Sequence, residues 1–213
     1  MKDILFDLDG TVVDSGLGIT NSVIYTLKKY GFEIPPREEL YKFIGPPLAK
    51  SFSDHCGLTP EGGQEAVEVY REYYREKGVF ENTVYEGFEE MLKALKEAGA
   101  RIFLATSKPE IFAKKILEHS GLDVWFDGVG GSELDGSRVD KGEVIEYVMK
   151  NYNITDGFMV GDRKFDILGA KEKGLKGVGV LYGYGTREEI EEAGADFIAE
   201  DTNELKNYLL KHL

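Results

Sequence analysis

Cysteine is almost missing from this chain of 213 residues: Cys56 stands alone, so no intramolecular disulfide can form and a structural thiol is expected. Histidine is nearly as scarce, and His55, His119 and His212 form no metal-ligand spacing. Positive charge is short too. With 26 Lys and Arg against 39 Asp and Glu the formal net charge is −13, and no basic stripe offsets it. That argues against a nucleic acid polymer or an anionic membrane as partner. No stretch approaches the roughly eighteen consecutive apolar residues of a membrane-spanning helix. Only Ile4-Leu5-Phe6 separates Met1-Lys2-Asp3 from the next acid, so no signal peptide is expected and a cytoplasmic location is. Repeats and low-complexity tracts are lacking, as are a Gly-x-Ser-x-Gly elbow and a Walker loop.

What is present supports a packed core. Hydrophobic residues make up 42% of the chain, with twelve Phe and twelve Tyr. Short apolar runs alternate with helical patterns, which predicts a doubly wound α/β fold with a parallel sheet. Strands are expected at Ile4–Phe6, Ile102–Ala105, Phe158–Val160, Val178–Leu181 and Phe197–Ile198. Helices are expected at Phe88–Ala98, Lys141–Asn151, Lys164–Lys173 and Arg187–Ala193, several of them closed by Gly. The Gly-rich FDGVGGSELDG is expected to be a loop.

Residues 16–82 differ. They read as helices broken by turns, at Ile19–Tyr30, Arg37–Phe43, Leu48–His55 and Gln64–Lys77, with the Tyr stripe of EAVEVYREYYREK as a packing face. An all-helical block between the first and second strands is expected to be an inserted domain, with 1–15 and 83–213 as the α/β core. Hinges are expected near Ser15–Gly18 and Asn82–Glu86.

Three expected strands end in reactive side chains: Asp7-Leu8-Asp9-Gly10-Thr11, then Thr106-Ser107-Lys108, then Gly161-Asp162 with Asp166 four residues on. Lys141 opens a helix between the last two. In a doubly wound sheet these ends meet in one crevice. Carboxylates at i and i+2 repel unless a cation intervenes, and several acids with a hydroxyl and a lysine suit phosphoryl transfer. Asp7, Asp162 and Asp166 would hold a hard divalent cation such as Mg²⁺ through oxygen. A carboxylate can also be the nucleophile, and Asp9 can pass protons. Thr106 and Lys141 would meet the phosphoryl oxygens, with Lys108 competing for them. Asp14 is expected to serve structurally, as a cap for the following helix. A Ca²⁺ loop counted from Asp7 fails, because Val12 and Gly18 stand where Gly and Glu are needed.

FDLDGTVVDS, LATSKPE, Lys141 and VGDRKFD, in that order and spacing, resemble the four motifs of the haloacid dehalogenase superfamily over essentially the whole chain. The helical insert is similar to that of the subgroup containing phosphoglycolate phosphatases, some 5′-nucleotidases and β-phosphoglucomutases, and FIGPPL resembles the 5′-nucleotidase-like branch. The resemblance implies Asp7 as nucleophile, Asp9 as general acid and base, Thr106 as phosphate-binding hydroxyl and Lys141 as the neutralising lysine. It implies Mg²⁺ held by Asp7, the Asp9 carbonyl and Asp162, with Asp166 a ligand or a support. Gly10, Thr11, Ser107 and Gly45 are the candidate substrate contacts, Gly45 from the inserted helices. Lys141 departs from the family's Lys-Pro pair, being followed by Gly142.

The expected activity is a Mg²⁺-dependent phosphatase for a small phosphate monoester, phosphoglycolate first. A 5′-nucleotidase or a sugar-phosphate mutase is the alternative within the family. A receiver-type phosphoacceptor is the alternative outside it, disfavoured by the length of the chain and by Asp9. The sequence sets no oligomeric state.

Overall fold

The computed structural model describes residues 2–213. The chain forms two compact units, Met1–Asp14 with Val84–Leu213, and Ser15–Thr83.

The α/β unit is built on a six-stranded sheet. Its strands are β1 (Asp3–Phe6), β4 (Arg101–Pro109), β5 (Gly128–Ser132), β6 (Gly157–Gly161), β7 (Lys176–Val180) and β8 (Phe197–Ala199). The order is β5-β4-β1-β6-β7-β8, and every pairing is parallel. A parallel sheet needs cover on both faces, and both are apolar here. Leu5, Phe103 and Met159 pack with Val144, Ile145 and Val148 of α7 (Lys141–Tyr152). On the opposite face Ile4, Phe6, Ile102, Leu104, Phe158 and Val160 are fully buried. There Phe6 meets Phe88 of α5 (Phe88–Glu97) edge to face, and Phe158 meets Tyr208 of α10 (Thr202–His212). The remaining helices are α6 (Glu110–Ser120), α8 (Lys164–Glu172) and α9 (Arg187–Ala193). Neither α6 nor α10 is among the helices expected from periodicity.

The order places the switch point at β1, since β4 and β5 lie on one side of it and β6 to β8 on the other. The carboxyl ends of β4, β1 and β6 therefore adjoin, where such sheets bind ligands.

The stretch expected as a loop, GVGGS, is instead the edge strand β5. Its glycines are there for packing. A Cβ on Gly128 would stand 2.1 Å from the Tyr152 ring, and one on Gly130 2.4 Å from a Val148 methyl. The strand lies directly under α7, and only Gly leaves room.

The second unit carries α1 (Gly16–Tyr30), α2 (Arg37–Leu40), α3 (Leu48–Cys56) and α4 (Pro60–Glu76). Two short strands, β2 (Val13–Asp14) and β3 (Thr83–Val84), pair in a separate sheet. Tyr70 and Tyr74 of α4 are buried and stacked, and Phe52 meets Tyr70 edge to face. The Tyr stripe is thus a packing face. A polar network joins Arg37 to Asn21 and Thr20, Asn21 to Glu81, and Tyr73 to Glu81. Gly16 and Gly18 form the first turn of α1, not a loop. A Cβ at Gly18 would lie 2.0 Å from the Gly78 carbonyl oxygen, so this glycine permits close packing. The α1 N-cap is Ser15, without a side-chain capping bond. The Asp14 carboxylate accepts the Tyr184 hydroxyl, a structural contact within the α/β unit. No helix of the described residues is long and apolar enough to cross a membrane.

Candidate active site

The first strand delivers Asp7 to the switch point, where its N–H still donates to the Val160 carbonyl at 2.9 Å. The chain then folds tightly. The Leu8 carbonyl accepts from Thr11, Val12 and Val13 at 3.3, 2.9 and 3.0 Å. This turn needs Gly10, whose φ is +81°, a backbone that L side chains disfavour. A Cβ there would also strike Asp162 Oδ2 at 2.2 Å.

Asp162 follows β6, and Asp166 sits in the first turn of α8, where its Oδ2 accepts the Arg163 N–H at 3.1 Å and caps the helix. Carboxylate oxygens of Asp7, Asp162 and Asp166 all lie within 4.8 Å of one another, and all three residues are buried. Lys141, at the first position of α7, reaches into this group. Its Nζ lies 2.7 Å from Asp7 Oδ1, 2.9 Å from Asp166 Oδ1 and 3.0 Å from the Ala105 carbonyl oxygen. Burial alone would lower the Lys141 ammonium, but Asp166 and Asp7 outweigh it and hold it above its ordinary value.

The cluster remains short of positive charge. Asp162 Oδ2 accepts the Tyr184 N–H at 2.8 Å, while its Oδ1 is buried without a hydrogen-bond partner. Burial, then Asp166, then Asp7 push the Asp162 carboxyl well above the usual carboxylate range. Asp166 is raised to about 6, by burial first and by Asp7, although Lys141 pulls the other way. A second ion pair stands beside the first, with Lys108 Nζ 2.9 Å from Asp9 Oδ1. Four carboxylates stand against two ammonium groups, so with every acid ionised the cluster would carry two net negative charges. Together with the orphaned Asp162 oxygen, that donor set fits one divalent cation held through oxygen.

Thr106 lies on the same end of β4 and is 1% exposed. Its Oγ1 accepts the Lys108 N–H at 3.2 Å. Ser107 is half-buried beside it. Thr11 is fully buried and its hydroxyl has no hydrogen-bond partner. Its carbonyl accepts the Tyr182 hydroxyl at 3.1 Å. Gly45, in the helical unit, is exposed with φ +102°, so the turn itself demands glycine. Asp7, Asp9, Thr106, Lys141, Asp162 and Asp166 thus stand where the ends of β1, β4 and β6 adjoin.

The loop after β7 was not foreseen. Gly183 and Gly185 pass so close to Asp162 that a Cβ on either would overlap it, at 2.4 Å from its Cβ and 1.8 Å from its carbonyl oxygen respectively. This lets the Tyr184 N–H fix the carboxylate. The alternating Gly-Tyr-Gly at the same end of the sheet is the signal that marks it. Tyr85 and Tyr182 pack ring to ring there, at 4.7 Å between centroids.

The profile of the Haloacid dehalogenase-like hydrolase family matches residues 4–180. A 5′-nucleotidase of Pseudomonas aeruginosa is 39% identical, over 99% of this chain and 96% of that one. The tyrosine-protein kinase PtkA of Mycobacterium tuberculosis is 33% identical over 97% of this chain and 72% of its own. A phosphoglycolate phosphatase of Vibrio vulnificus is 30% identical, over 99% and 96%. Among solved structures, one described as a predicted phosphatase from Clostridium acetobutylicum has a TM-score of 0.96 and 43% identity, covering 99% of this chain and 98% of that one. The chain belongs to the haloacid dehalogenase-like hydrolases.

Proposed function

We propose that this enzyme, a phosphoric monoester hydrolase, is a Mg²⁺-dependent phosphatase that works through an aspartyl-phosphate on Asp7. The observation that carries the reading is the buried triad of Asp7, Asp162 and Asp166, with oxygens within 4.8 Å of one another. It adjoins a second carboxylate, Asp9, two residues from the first.

The Asp7 carboxylate attacks phosphorus, forming a P–O bond as the ester P–O bond breaks. Asp9 gives its proton to the departing alcohol oxygen, then takes one from the water that attacks the acyl-phosphate. Inorganic phosphate leaves and the Asp7 carboxylate is restored. Asp9 loses one proton to the alcohol and gains one from water, so the cycle balances. Thr106 donates its hydroxyl hydrogen to a phosphoryl oxygen. Mg²⁺ would be held by Asp7, Asp162 and the Asp9 carbonyl, supported by Asp166, and would supply positive charge to balance these acids and the phosphoryl oxygens. The inserted helices 16–82 would act as a cap, closing on hinges near Ser15–Gly18 and Asn82–Glu86, with Gly45 near the leaving group and water excluded until hydrolysis.

For the substrate, the relatives favour two small esters. The 5′-nucleotidase has higher identity than the phosphoglycolate phosphatase, at 39% against 30%, which favours a nucleoside monophosphate ahead of phosphoglycolate.

The test is phosphate release from nucleoside monophosphates, phosphoglycolate, sugar phosphates and p-nitrophenyl phosphate, with and without Mg²⁺, beside Asp7→Asn and Asp9→Asn. Metal-dependent release that falls by at least about 10³-fold in Asp7→Asn is expected. Interconversion of sugar phosphates without release would turn the reading to a mutase. Transfer from ATP to a tyrosine peptide, without ester hydrolysis, would turn it to a kinase.

A further inference from the structure

Among the described residues Arg138 and Asn153 take a left-handed backbone without being Gly, each with φ +54°. Asn153 closes α7 as its C-cap, which accounts for it. Arg138 closes no helix. It follows a tight turn in which the Glu133 N–H donates to the Ser137 carbonyl at 3.0 Å, and its side chain returns to the end of β5. Such a backbone costs energy and persists where surrounding contacts impose it. Here Arg138 Nε donates to the Gly131 carbonyl at 2.7 Å. Its Nη2 pairs with Glu133 Oε1 at 2.5 Å and stands 3.9 Å from Glu110 Oε2. The guanidinium also lies 3.7 Å from the centre of the Tyr147 ring on α7.

Gly131 matters because of what rests on it. β4 and β5 pair at Ala105–Gly130 and next at Pro109–Ser132, so β4 spends two more residues than β5 in between. Thr106, Ser107 and Lys108 make up that bulge, a device that re-aims side chains beside sites. The bulge comes back tightly onto Gly131, where a Cβ would lie 2.6 Å from the Lys108 carbonyl oxygen and 2.7 Å from the Glu110 nitrogen. Inside it the Lys108 N–H donates to Thr106 Oγ1 at 3.2 Å, so the shape of the bulge sets that hydroxyl. One guanidinium therefore holds the floor of the bulge, Gly131, and pairs with Glu110, the first residue of α6 beyond it.

We infer that Arg138 is a positioning residue for Thr106: its guanidinium clamps Gly131 and Glu110, and so holds the β4 bulge that turns the Thr106 hydroxyl toward the phosphoryl group. Arg138 itself touches no reacting atom. Its loss lets the bulge relax, and Thr106 then meets the phosphoryl oxygen in poorer geometry. The inference rests on the phosphatase reading, which gives Thr106 its task.

A double-mutant cycle tests it, read as the calorimetric Kd of inorganic phosphate in Mg²⁺ at a temperature where every variant is folded by circular dichroism. Arg138→Met is expected to raise that Kd by about tenfold, the worth of one hydrogen bond. In a Thr106→Val background the same change should raise it less than about twofold, because no hydroxyl remains to be placed. Arg138→Lys keeps the charge but loses the planar stack and the Nε bond, and should behave as Arg138→Met does; it carries the cycle alone if Arg138→Met does not fold. KM for p-nitrophenyl phosphate should follow the phosphate Kd, with kcat falling less than KM rises. The Kd of Mg²⁺ without phosphate should be the same in Arg138→Met and the parent. An unchanged phosphate Kd, equal factors in the two backgrounds, full recovery in Arg138→Lys, or an equal loss of Mg²⁺ affinity would each overturn the assignment and leave the phosphatase reading in place. An unmodified protein that neither binds phosphate nor cleaves any ester would overturn both.

Discussion

Buried polar groups are answered differently in the two units. In the helical unit Thr20, Ser22 and Thr26 donate to carbonyls four residues back in their own helix, those of Gly16, Gly18 and Ser22. Its one buried charged side chain among the described residues, Arg71, pairs with Glu68 on the same helix, and Glu68 is more than half exposed. In the α/β unit Lys141 reaches Ala105, 36 positions away, and ties together Asp7 and Asp166. Local partners satisfy a helix at little cost. Distant buried charges cost folding energy and are kept where their chemistry is used. The difference separates groups that hold the fold from groups that the fold holds for a reaction.

The sharpest way to break that comparison is to make one change in both places. Lys141→Met leaves Asp7 and Asp166 buried without their counter-ion, and should cost about 3–5 kcal/mol of stability in metal-free protein. Arg71→Met removes a cation whose partner is solvated, and should cost at most about 1 kcal/mol. Urea denaturation of both variants measures the two losses. Adding Asp166→Asn to Lys141→Met should return part of the first, because it removes one of the two stranded charges. Equal losses in the two units would end the distinction.

A second test uses pH. The Asp162 carboxyl is raised in the folded protein by burial and by Asp166 and Asp7, so between its ordinary range and the raised value the native state binds more protons than the unfolded one. Stability from this group therefore falls as pH rises through that window. Asn imitates the protonated form. In chelator, Asp162→Asn should match the parent near pH 4 and exceed it increasingly toward pH 7.5, by about 1.4 kcal/mol for each pH unit of raised pKa. Added Mg²⁺ should reverse the order, raising the Tm of the parent more than that of the variant. A constant difference across pH would mean that Asp162 is not held at that charge cost. The helical unit offers no counterpart, since no carboxylate among its described residues is buried.

This contrast also explains what could be read from the chain. Asp7, Asp9, Thr106 and Asp162 were legible because they stand at or just past the ends of apolar runs, and a parallel sheet brings strand ends together without further instruction; Asp166 was legible by its spacing four residues after Asp162. The edge strand Gly128–Ser132 was not legible. Its glycines are set by Tyr152 and Val148 lying across them, and composition cannot tell a glycine that permits contact from one that permits a turn. Asp14 was legible as a structural acid by its position before α1, but its bond to Tyr184, 170 residues away, was not. The ion pairs of Lys141 with Asp7 and Asp166, and its bond to the Ala105 carbonyl, were hidden for the same reason. Short-range patterns reveal which side chains a strand delivers; long-range contacts decide which groups those side chains meet.

The smallest expected effect separates the two units most cleanly, because it leaves both folded. Thr26 and Thr106 are each 1% exposed, and Thr→Val keeps the shape of the side chain while removing the hydroxyl. Thr26 donates to the Ser22 carbonyl in α1, a position where the loss of one such bond should cost about 0.5–1.5 kcal/mol of stability and leave kcat/KM unchanged. Thr106 accepts from the Lys108 N–H, and its hydroxyl hydrogen is assigned to the phosphoryl group. Thr106→Val should cost a similar amount of stability, since one backbone donor loses its acceptor, and should also lower kcat/KM by about tenfold, the worth of one hydrogen bond in the transition state. Measuring Tm and kcat/KM on both variants asks whether the second loss follows the hydroxyl or the site. If Thr26→Val lowers turnover as much as Thr106→Val does, the hydroxyls of the helical unit serve the reaction as well, and the division between the units falls.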